Sequence, residues 1–289
     1  MADVLLVTCA GLPDGEPRGD LLVDAFAARG TTARWVAWDD AEVDWAGAGA
    51  VCLRSTWDYD ARYDEFLAWA RRIEAAGAHL LNGAGLFAWN TDKAYLPELA
   101  AAGVPVVPTI VVDGEEELPP AIAEFFTAVV KPRTAAGGRG VVVFDMADGG
   151  PGDLDESQLS PGPWVVQPLV ESIHDEGEWS VFVLGGEVVS ASRKVPAAGD
   201  IRVHEEYGGS MVAATPSAEH REVAERAVRA AQRLCGVELP YARVDQMRLA
   251  DGTWAVSELE VTEPSLYLDV LPDNAGRFAD TVLAHLGRP

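Results

Sequence analysis

The chain has 289 residues, 48% hydrophobic and 24% charged, a balance normal for a globular protein with a sizeable core and one to three domains. Its 46 acidic against 22 basic residues give a formal charge of −24, a field that repels phosphate backbones and argues against a nucleic-acid partner. The scattered cysteines Cys9, Cys52 and Cys235 make neither a zinc spacing nor a disulfide framework, which points to a reducing, cytoplasmic compartment, and no apolar run reaches membrane-spanning length.

In chain order, Met1–Val7 lacks the basic start and long apolar stretch of a signal peptide. Val4–Thr8 reads as a buried strand, Asp20–Arg29 as a helix closed by Gly30, and Ala33–Ala37 and Ala50–Leu53 as further strands. Ala61–Ala76 reads as a helix ended by Gly77, and His79–Leu81 as a short strand. This alternation predicts a doubly wound parallel α/β domain over 1–90. Thr91 is a candidate cap for a helix running to Ala102; Pro97 either kinks it or sits in the first turn of a helix starting near Leu96. Strands at Val106–Val112, Ala128–Val130 and Val141–Phe144 predict a small α+β domain, placed at 91–165, with Ala147–Pro163 as a surface connection. The remainder, 166–289, reads as β-rich with helices at Ala218–Leu234 and Ala275–Leu286. Gly185-Gly186 and Asp251-Gly252 are hairpin signals.

The second hairpin carries the strongest chemical signal. A two-residue turn at Asp251-Gly252 sets Ala250 opposite Thr253, hence Asp245 opposite Glu258 and Arg243 opposite Glu260, all on one face. Opposed carboxylates ~5 Å apart at an effective dielectric of ~20 repel by roughly 3 kcal/mol, which a cation between them would relieve. Three carboxylates plus phosphate oxygens suit Mg²⁺. The alternative is a solvated acidic hairpin; Met247, Leu249, Trp254 and Val256 on the same face weigh against it.

Lys131 precedes a loop, Ala135-Ala136-Gly137-Gly138-Arg139-Gly140, whose backbone N–H groups can approach phosphate closely. A plain hairpin connection is the other reading, and the loop fits neither a Walker nor a dinucleotide pattern. Val165–Val170, breaking at Pro168, can offer backbone groups to a purine edge. By counting from Gly185-Gly186, Glu178 faces Arg193, which on spacing alone is a cross-strand ion pair. The histidines form no ligand spacing and no serine sits in a nucleophile elbow, so hydrolytic triads and zinc chemistry are unsupported.

This ordered set resembles the ATP-grasp superfamily. The matching pieces are Asn90-Thr91-Asp92-Lys93, Val104–Thr109, Val130-Lys131-Pro132 with its glycine-rich loop, Gln167-Pro168-Leu169, Gly177–Ser180, and Asp245 with Glu258–Ser265. The resemblance implies Lys93, Lys131 and Lys194 on ATP phosphates, and Gly137, Gly138, Arg139 and Gly140 in the lid above them. It implies Gln167, Leu169 and Val170 beside adenine and Glu178 on the ribose. Asp245, Glu258 and Glu260 would hold Mg²⁺, two ions in number; many relatives carry Asn where Glu260 stands. Arg243 and Arg202 would serve catalysis, Arg202 on the substrate side. Arg54–Tyr59 and Glu263–Leu268 are similar to a glutathione-synthetase-like subgroup that includes the ligase closing O-ureido-serine into cycloserine.

The implied activity is ADP-forming ligation through an acyl phosphate on a small amino-acid-like carboxylate. The expected partners are ATP and that carboxylate, with no nucleic acid and no membrane, and a homodimer is allowed. The rival readings are a nucleotide-binding regulator with a degenerate site and an acidic interaction protein.

Overall fold

In the computed structural model, which describes residues 4–145 and 159–287, β1 (Val4–Thr8) is buried along its whole length. Val4 and Leu6 enter one apolar cluster and Leu5 and Val7 another, because successive side chains point to opposite faces. After α1 (Asp20–Ala27), β2 (Ala33–Ala37) and β3 (Ala50–Ser55) flank β1 in a parallel sheet of order β2-β1-β3. The strand expected at His79–Leu81 is reduced to one bridge between Val51 and Leu80. α2 (Tyr63–Ala75) and α3 (Ala84–Asn90) cover one face with Phe66, Trp69, Ile73 and Phe87.

Thr91 closes α3 instead of opening a helix, its hydroxyl donating to the Phe87 carbonyl at 2.7 Å. α4 (Tyr95–Ala101) begins beyond it with Pro97 in the first turn, where a missing N–H leaves no helical bond unmade.

The central unit comprises β4 (Ile110–Val112), α5 (Leu118–Ala123), β5 (Thr127–Pro132), β6 (Val142–Asp145) and β7 (Trp164–Pro168). The strands form an antiparallel sheet of order β4-β7-β5-β6, and α5 packs on one face through Leu118 and Ile122 against Val130, Trp164 and Val166. β7 belongs to this sheet, so the sheet crosses the boundary placed at 165. The connection expected over 147–163 lies, up to residue 158, outside the described residues.

Next come β8 (Glu178–Leu184), β9 (Glu187–Val195), β10 (Ser210–Ala214), α6 (Ala218–Cys235), β11 (Tyr241–Arg248), β12 (Trp254–Glu260) and α7 (Asp273–His285). The strands form an antiparallel sheet of order β10-β9-β8-β11-β12. α6, capped by Ser217 and His220 in a reciprocal box, lays Val223, Ala227 and Val228 on one face of it. Val107 N–H donates to the Val256 carbonyl, and Val256 N–H to that of Pro105, both at 2.9 Å, so the β12 edge is covered.

Two β-bulges correct the expected registers. In β9 Val189 is extra, since Phe182 pairs with Ser190 but Val183 with Val188. Glu178 therefore faces Lys194, not Arg193. The Arg193 guanidinium instead donates to the Glu176 and Asp175 carbonyls at 2.7 and 2.6 Å. In the second hairpin Leu249 N–H donates to the Thr253 carbonyl, so the loop is Ala250-Asp251-Gly252, with Gly252 at φ +90°. An extra residue at Ser257 cancels that offset, and Asp245 still opposes Glu258 and Arg243 still opposes Glu260. Trp254 and Val256, however, turn to the opposite face and join the cluster under α6. Among the described residues no helix is long and apolar enough to cross a membrane.

Candidate active site

The central sheet, the C-terminal sheet and one end of the N-terminal sheet enclose a cleft of about 640 Å³. Its floor is the cleft-facing side of β11 and β12. Asp245, 2% exposed, accepts from Arg243 Nε and Nη2 at 3.0 Å each, from Lys194 Nζ at 3.1 Å and from Ser180 Oγ at 2.6 Å. Burial alone would raise its pKa, but Arg243 and then Lys194 outweigh that and hold the carboxyl below its usual range. Lys194 also pairs with Glu178 at 2.5 Å, and Ser257 Oγ donates to Glu178 at 3.1 Å, which the bulge makes achievable by turning Ser257 toward the cleft. Gly177 admits this approach: a Cβ there would lie 2.2 Å from the Lys194 carbonyl oxygen.

Glu258 and Glu260 stand above this floor with side chains 36% and 25% exposed. Glu258 meets Lys93 Nζ at 3.2 Å, and Glu260 contacts Arg243 Nη2. Burial pushes the Glu260 carboxyl up, to about 7; Arg243 opposes this and Asp245 and Glu258 add to it. The three expected metal ligands thus share one strand pair without forming a preformed cluster. Among the described residues no group of three or more His, Cys, Asp or Glu converges on one point, because Asp245 is saturated by cations. The arrangement nonetheless fits a hard divalent cation: Glu258 and Glu260 are oxygen donors facing an open cleft, and the Arg243 guanidinium that Glu260 contacts is shared with Asp245.

Lys93 and Lys131 form the opposite wall. Asp92 accepts from Arg133 Nε at 2.8 Å and from Ala94 N–H at 2.9 Å, and Lys93 N–H donates to the Arg133 carbonyl at 2.9 Å. These bonds clamp the Lys93 turn to the end of β5, beside Lys131. Burial lowers the Lys131 pKa, Glu258 opposes this, and Lys93 adds to it. No ion pair or hydrogen bond reaches the Lys131 ammonium among the described residues. The glycine-rich loop lies over the cleft: Lys93 Nζ donates to the Ala135 carbonyl at 2.7 Å, and Arg139 bridges to Asp60 of the N-terminal domain at 2.6 Å. Gly137, Gly138 and Arg139 line the cleft, whereas Gly140 sits apart, against Ser160 and Pro132.

Val107, Val170 and Ala255, with Met247 and Leu249, make an apolar end suited to a planar base. Gln167, Leu169 and Val170 border it. The Gln167 amide is engaged by Thr109 Oγ1 at 2.9 Å, and Leu169 N–H by the Thr127 carbonyl at 2.9 Å, so Leu169 can meet a base with its carbonyl.

Sequence reasoning missed several residues at the far end. Arg54, fully buried, pairs with Glu16 at 3.0 Å, contacts the Pro264 carbonyl and stacks over Phe278 at 4.6 Å. Glu16 also accepts from Leu266 N–H at 2.7 Å, and Trp57 Nε1 donates to the Glu263 carbonyl at 3.4 Å. The Arg54–Tyr59 segment thereby fixes the loop after β12, which presents Glu263, Ser265 and Tyr267 to the cleft. Tyr267 holds φ +52°, uncommon for an aromatic residue, with its ring 4.9 Å from the Arg243 guanidinium. Arg202 also lines the cleft, but in a bidentate pair with Asp200 and stacked on Tyr207 at 3.7 Å. The legible signal for this end was the order Arg54…Glu263-Pro264-Ser265; burial of Glu263 was not legible.

Comparison with known proteins agrees with this architecture. The N-terminal domain of D-cycloserine synthetase DcsG matches residues 4–82, and the ATP-grasp domain of prokaryotic glutathione synthetase matches residues 98–239. The cycloserine biosynthesis protein DcsG of Streptomyces lavendulae is 34% identical over 277 residues, 92% of each chain. The crystal structure of D-cycloserine synthetase DcsG superposes with a TM-score of 0.86 at 32% identity, over 99% of this chain and 100% of that one. The ATP-grasp ligase PsnB, complexed with a minimal precursor, Mg and ADP, shares the fold at a TM-score of 0.67 and 21% identity over 100% of both chains.

Proposed function

Since the chain belongs to the ATP-grasp family, whose members are Mg²⁺-dependent, ATP-consuming ligases, we propose that its substrate is O-ureido-serine and its product cycloserine. Likeness to DcsG extends over both the ATP-grasp domain and the N-terminal domain, and it is the N-terminal domain that supplies Trp57, Asp58 and Tyr59 to the far end of the cleft.

The observation that carries the nucleotide reading is Lys131: a half-buried ammonium with no protein partner among the described residues, next to Lys93 and below a glycine-rich loop. In a chain of charge −24 an uncompensated cation facing a cleft is a place for phosphate. The base would rest on the apolar end at Val107, Val170 and Ala255, with the ribose toward Glu178. Glu258 and Glu260 would hold Mg²⁺, two ions in our reading, and Asp245 would join them if Arg243 turned toward the reacting phosphoryl group. Bound Mg²⁺ would neutralise charge on the phosphates.

The substrate carboxylate attacks the γ-phosphorus, giving an acyl phosphate and ADP. Lys93, Lys131 and Arg243 stabilise the charge that moves onto the equatorial oxygens. The oxygen-bound nitrogen of the same molecule then attacks the acyl carbon, phosphate and the nitrogen's proton leave, and the ring closes with the carbamoyl group still on that nitrogen. Hydrolysis of the carbamoyl group, lost as carbamate and hence CO2 and ammonia, gives cycloserine. The loop over the cleft keeps water from the acyl phosphate. The test is ADP release with each enantiomer of O-ureido-serine, with mass spectrometry of the product. Release coupled to cycloserine formation is expected; no stimulation by either enantiomer refutes the substrate assignment.

A further inference from the structure

Glu263 takes no part in the chemistry described so far. It lies three positions beyond Glu260 in sequence, is 8% exposed, and lines the cleft where the N-terminal domain closes it. No hydrogen bond or ion pair reaches its carboxylate among the described residues. The two cations that act on it are already committed: Arg243 to Asp245 and Glu260, and Lys93 to Glu258. A buried carboxylate without a donor is costly unless it is neutralised or a cation is brought to it.

The surroundings narrow the partner. The neighbouring charges on the same strand end, Glu260 and Glu258, are negative, so a second anion is excluded. Tyr59, largely buried, lines the same cleft as Glu263. Trp57 fixes the backbone of Glu263 from the N-terminal domain. A carboxylate, a phenol oxygen and aromatic faces together suit a primary ammonium, which needs several acceptors and gains from ring faces.

We infer that Glu263 receives the α-ammonium group of the substrate, an inference that rests on the amino-acid ligase reading above. This contact sets which carboxylates are accepted: one lacking the ammonium leaves Glu263 buried and unpaired, and the site discriminates against it. Arg54 and Glu16 act as positioning residues for the same loop through the Pro264 carbonyl and the Leu266 N–H.

The test pairs O-ureido-serine with its des-amino counterpart, 3-(ureidooxy)propanoate. ADP release is measured for each, and binding of each in the presence of Mg²⁺ and ADP is measured by calorimetry. The wild-type protein should prefer the ammonium-bearing compound. Glu263→Gln should raise KM for O-ureido-serine by roughly tenfold or more, leave KM for ATP unchanged, and abolish the preference. Glu263→Asp keeps the charge and should keep the preference with weaker binding. Ligand-free Glu263→Gln should melt at or above the wild-type temperature, since it removes a buried carboxyl group that has no partner among the described residues. Retained preference in Glu263→Gln overturns the inference, as does loss of kcat with KM unmoved. If Glu263→Gln does not fold, equal binding of the two compounds by the wild type overturns it alone. Ammonium-selective binding that depends on Glu263, without ADP release, would refute the ligase reading and keep this inference; ADP release blind to the ammonium would do the reverse.

Discussion

Asp245→Asn separates a charge that holds the floor together from charges that wait for a cation. Asp245 is 2% exposed and accepts from two Arg243 nitrogens, from Lys194 and from Ser180. Asparagine fits the space, but its amide must direct N–H donors at one of these donors. Lys194 retains Glu178 and Arg243 retains Glu260, so the loss falls toward the lower end of the roughly 3–5 kcal/mol typical of breaking a buried pair from one side. That corresponds to a fall in Tm of roughly 5 °C for a chain of this size. Glu258→Gln is the control. Its pair with Lys93 is 36% exposed on the Glu258 side, which limits its contribution to less than about 1 kcal/mol after screening. Both variants should lose Mg²⁺-dependent turnover, but only Asp245→Asn should lower the ligand-free melting temperature, read by calorimetry or circular dichroism. Equal melting of Asp245→Asn and wild type would refute the assignment of Asp245 to the structural floor.

Lys131→Met should lower kcat/KM for ATP by roughly a hundredfold while leaving ligand-free stability equal or higher, because an unpaired cation leaves a desolvated site; unchanged nucleotide kinetics would remove Lys131 from the phosphate wall. His220 stacks on Trp179 at 4.2 Å and packs 4.2 Å from Trp254, and burial lowers its pKa to about 4. With a folded pKa below the unfolded 6.5, the unfolded chain binds more protons between those values, so stability is full above about 6.5 and falls toward pH 4 by up to about 3 kcal/mol. Glu can be avoided and the capping box kept with His220→Gln, so the difference in stability between wild type and His220→Gln should shrink as pH falls through that window; a pH-independent difference would contradict the buried neutral imidazole. Hydrogen exchange over 135–140 should slow when Mg²⁺–ATP is added, and Arg139→Ala, which cuts the bridge to Asp60, should raise exchange in the ligand-free protein; identical exchange in all states would count against a phosphate-sensing lid.

Local pattern made much of this fold legible. Val4–Thr8 and Ala33–Ala37 form strands with the bounds read from their apolar runs, and α6 ends one residue past its expected limit because Gly236 supplies the left-handed cap. Thr91 misled because a threonine hydroxyl serves equally at a helix start or bonded back to the preceding turn, and only the neighbouring α3 decides. The bulges at Val189 and Ser257 were not legible, since sheet twist and packing decide them and no residue type marks them. Their effects differ. Val189 moved the partner of Glu178 from Arg193 to Lys194, turning an expected cross-strand ion pair into part of the buried charge network. Ser257 offset a misread turn, leaving Asp245 opposite Glu258 for a reason the counting did not contain. The cleft itself was legible as a set of residue types, while the pairing of each charge required the tertiary structure.

α7 packs on the sheet that precedes it in sequence, against Phe182, Leu184 and Tyr241, and reaches beyond it to the first sheet. Phe278, Ala279 and Val282 share one apolar cluster with Val4, Leu6, Leu22 and Phe26; Phe278 meets Phe26 edge-on at 6.4 Å, and Arg29 bridges to Asp280 at 2.5 Å. During synthesis the first sheet therefore emerges from the ribosome with this face covered by α1 alone, and it gains Phe182, Leu184 and Tyr241 and finally α7 only as the later segments are made. Domains usually mature in the order they are translated, but here the covering of the earliest strands is completed only by the C-terminal helix. A ribosome-bound chain halted before Asp273 should present to chaperones the part of this face that Phe278, Ala279 and Val282 cover, and release past His285 should withdraw it.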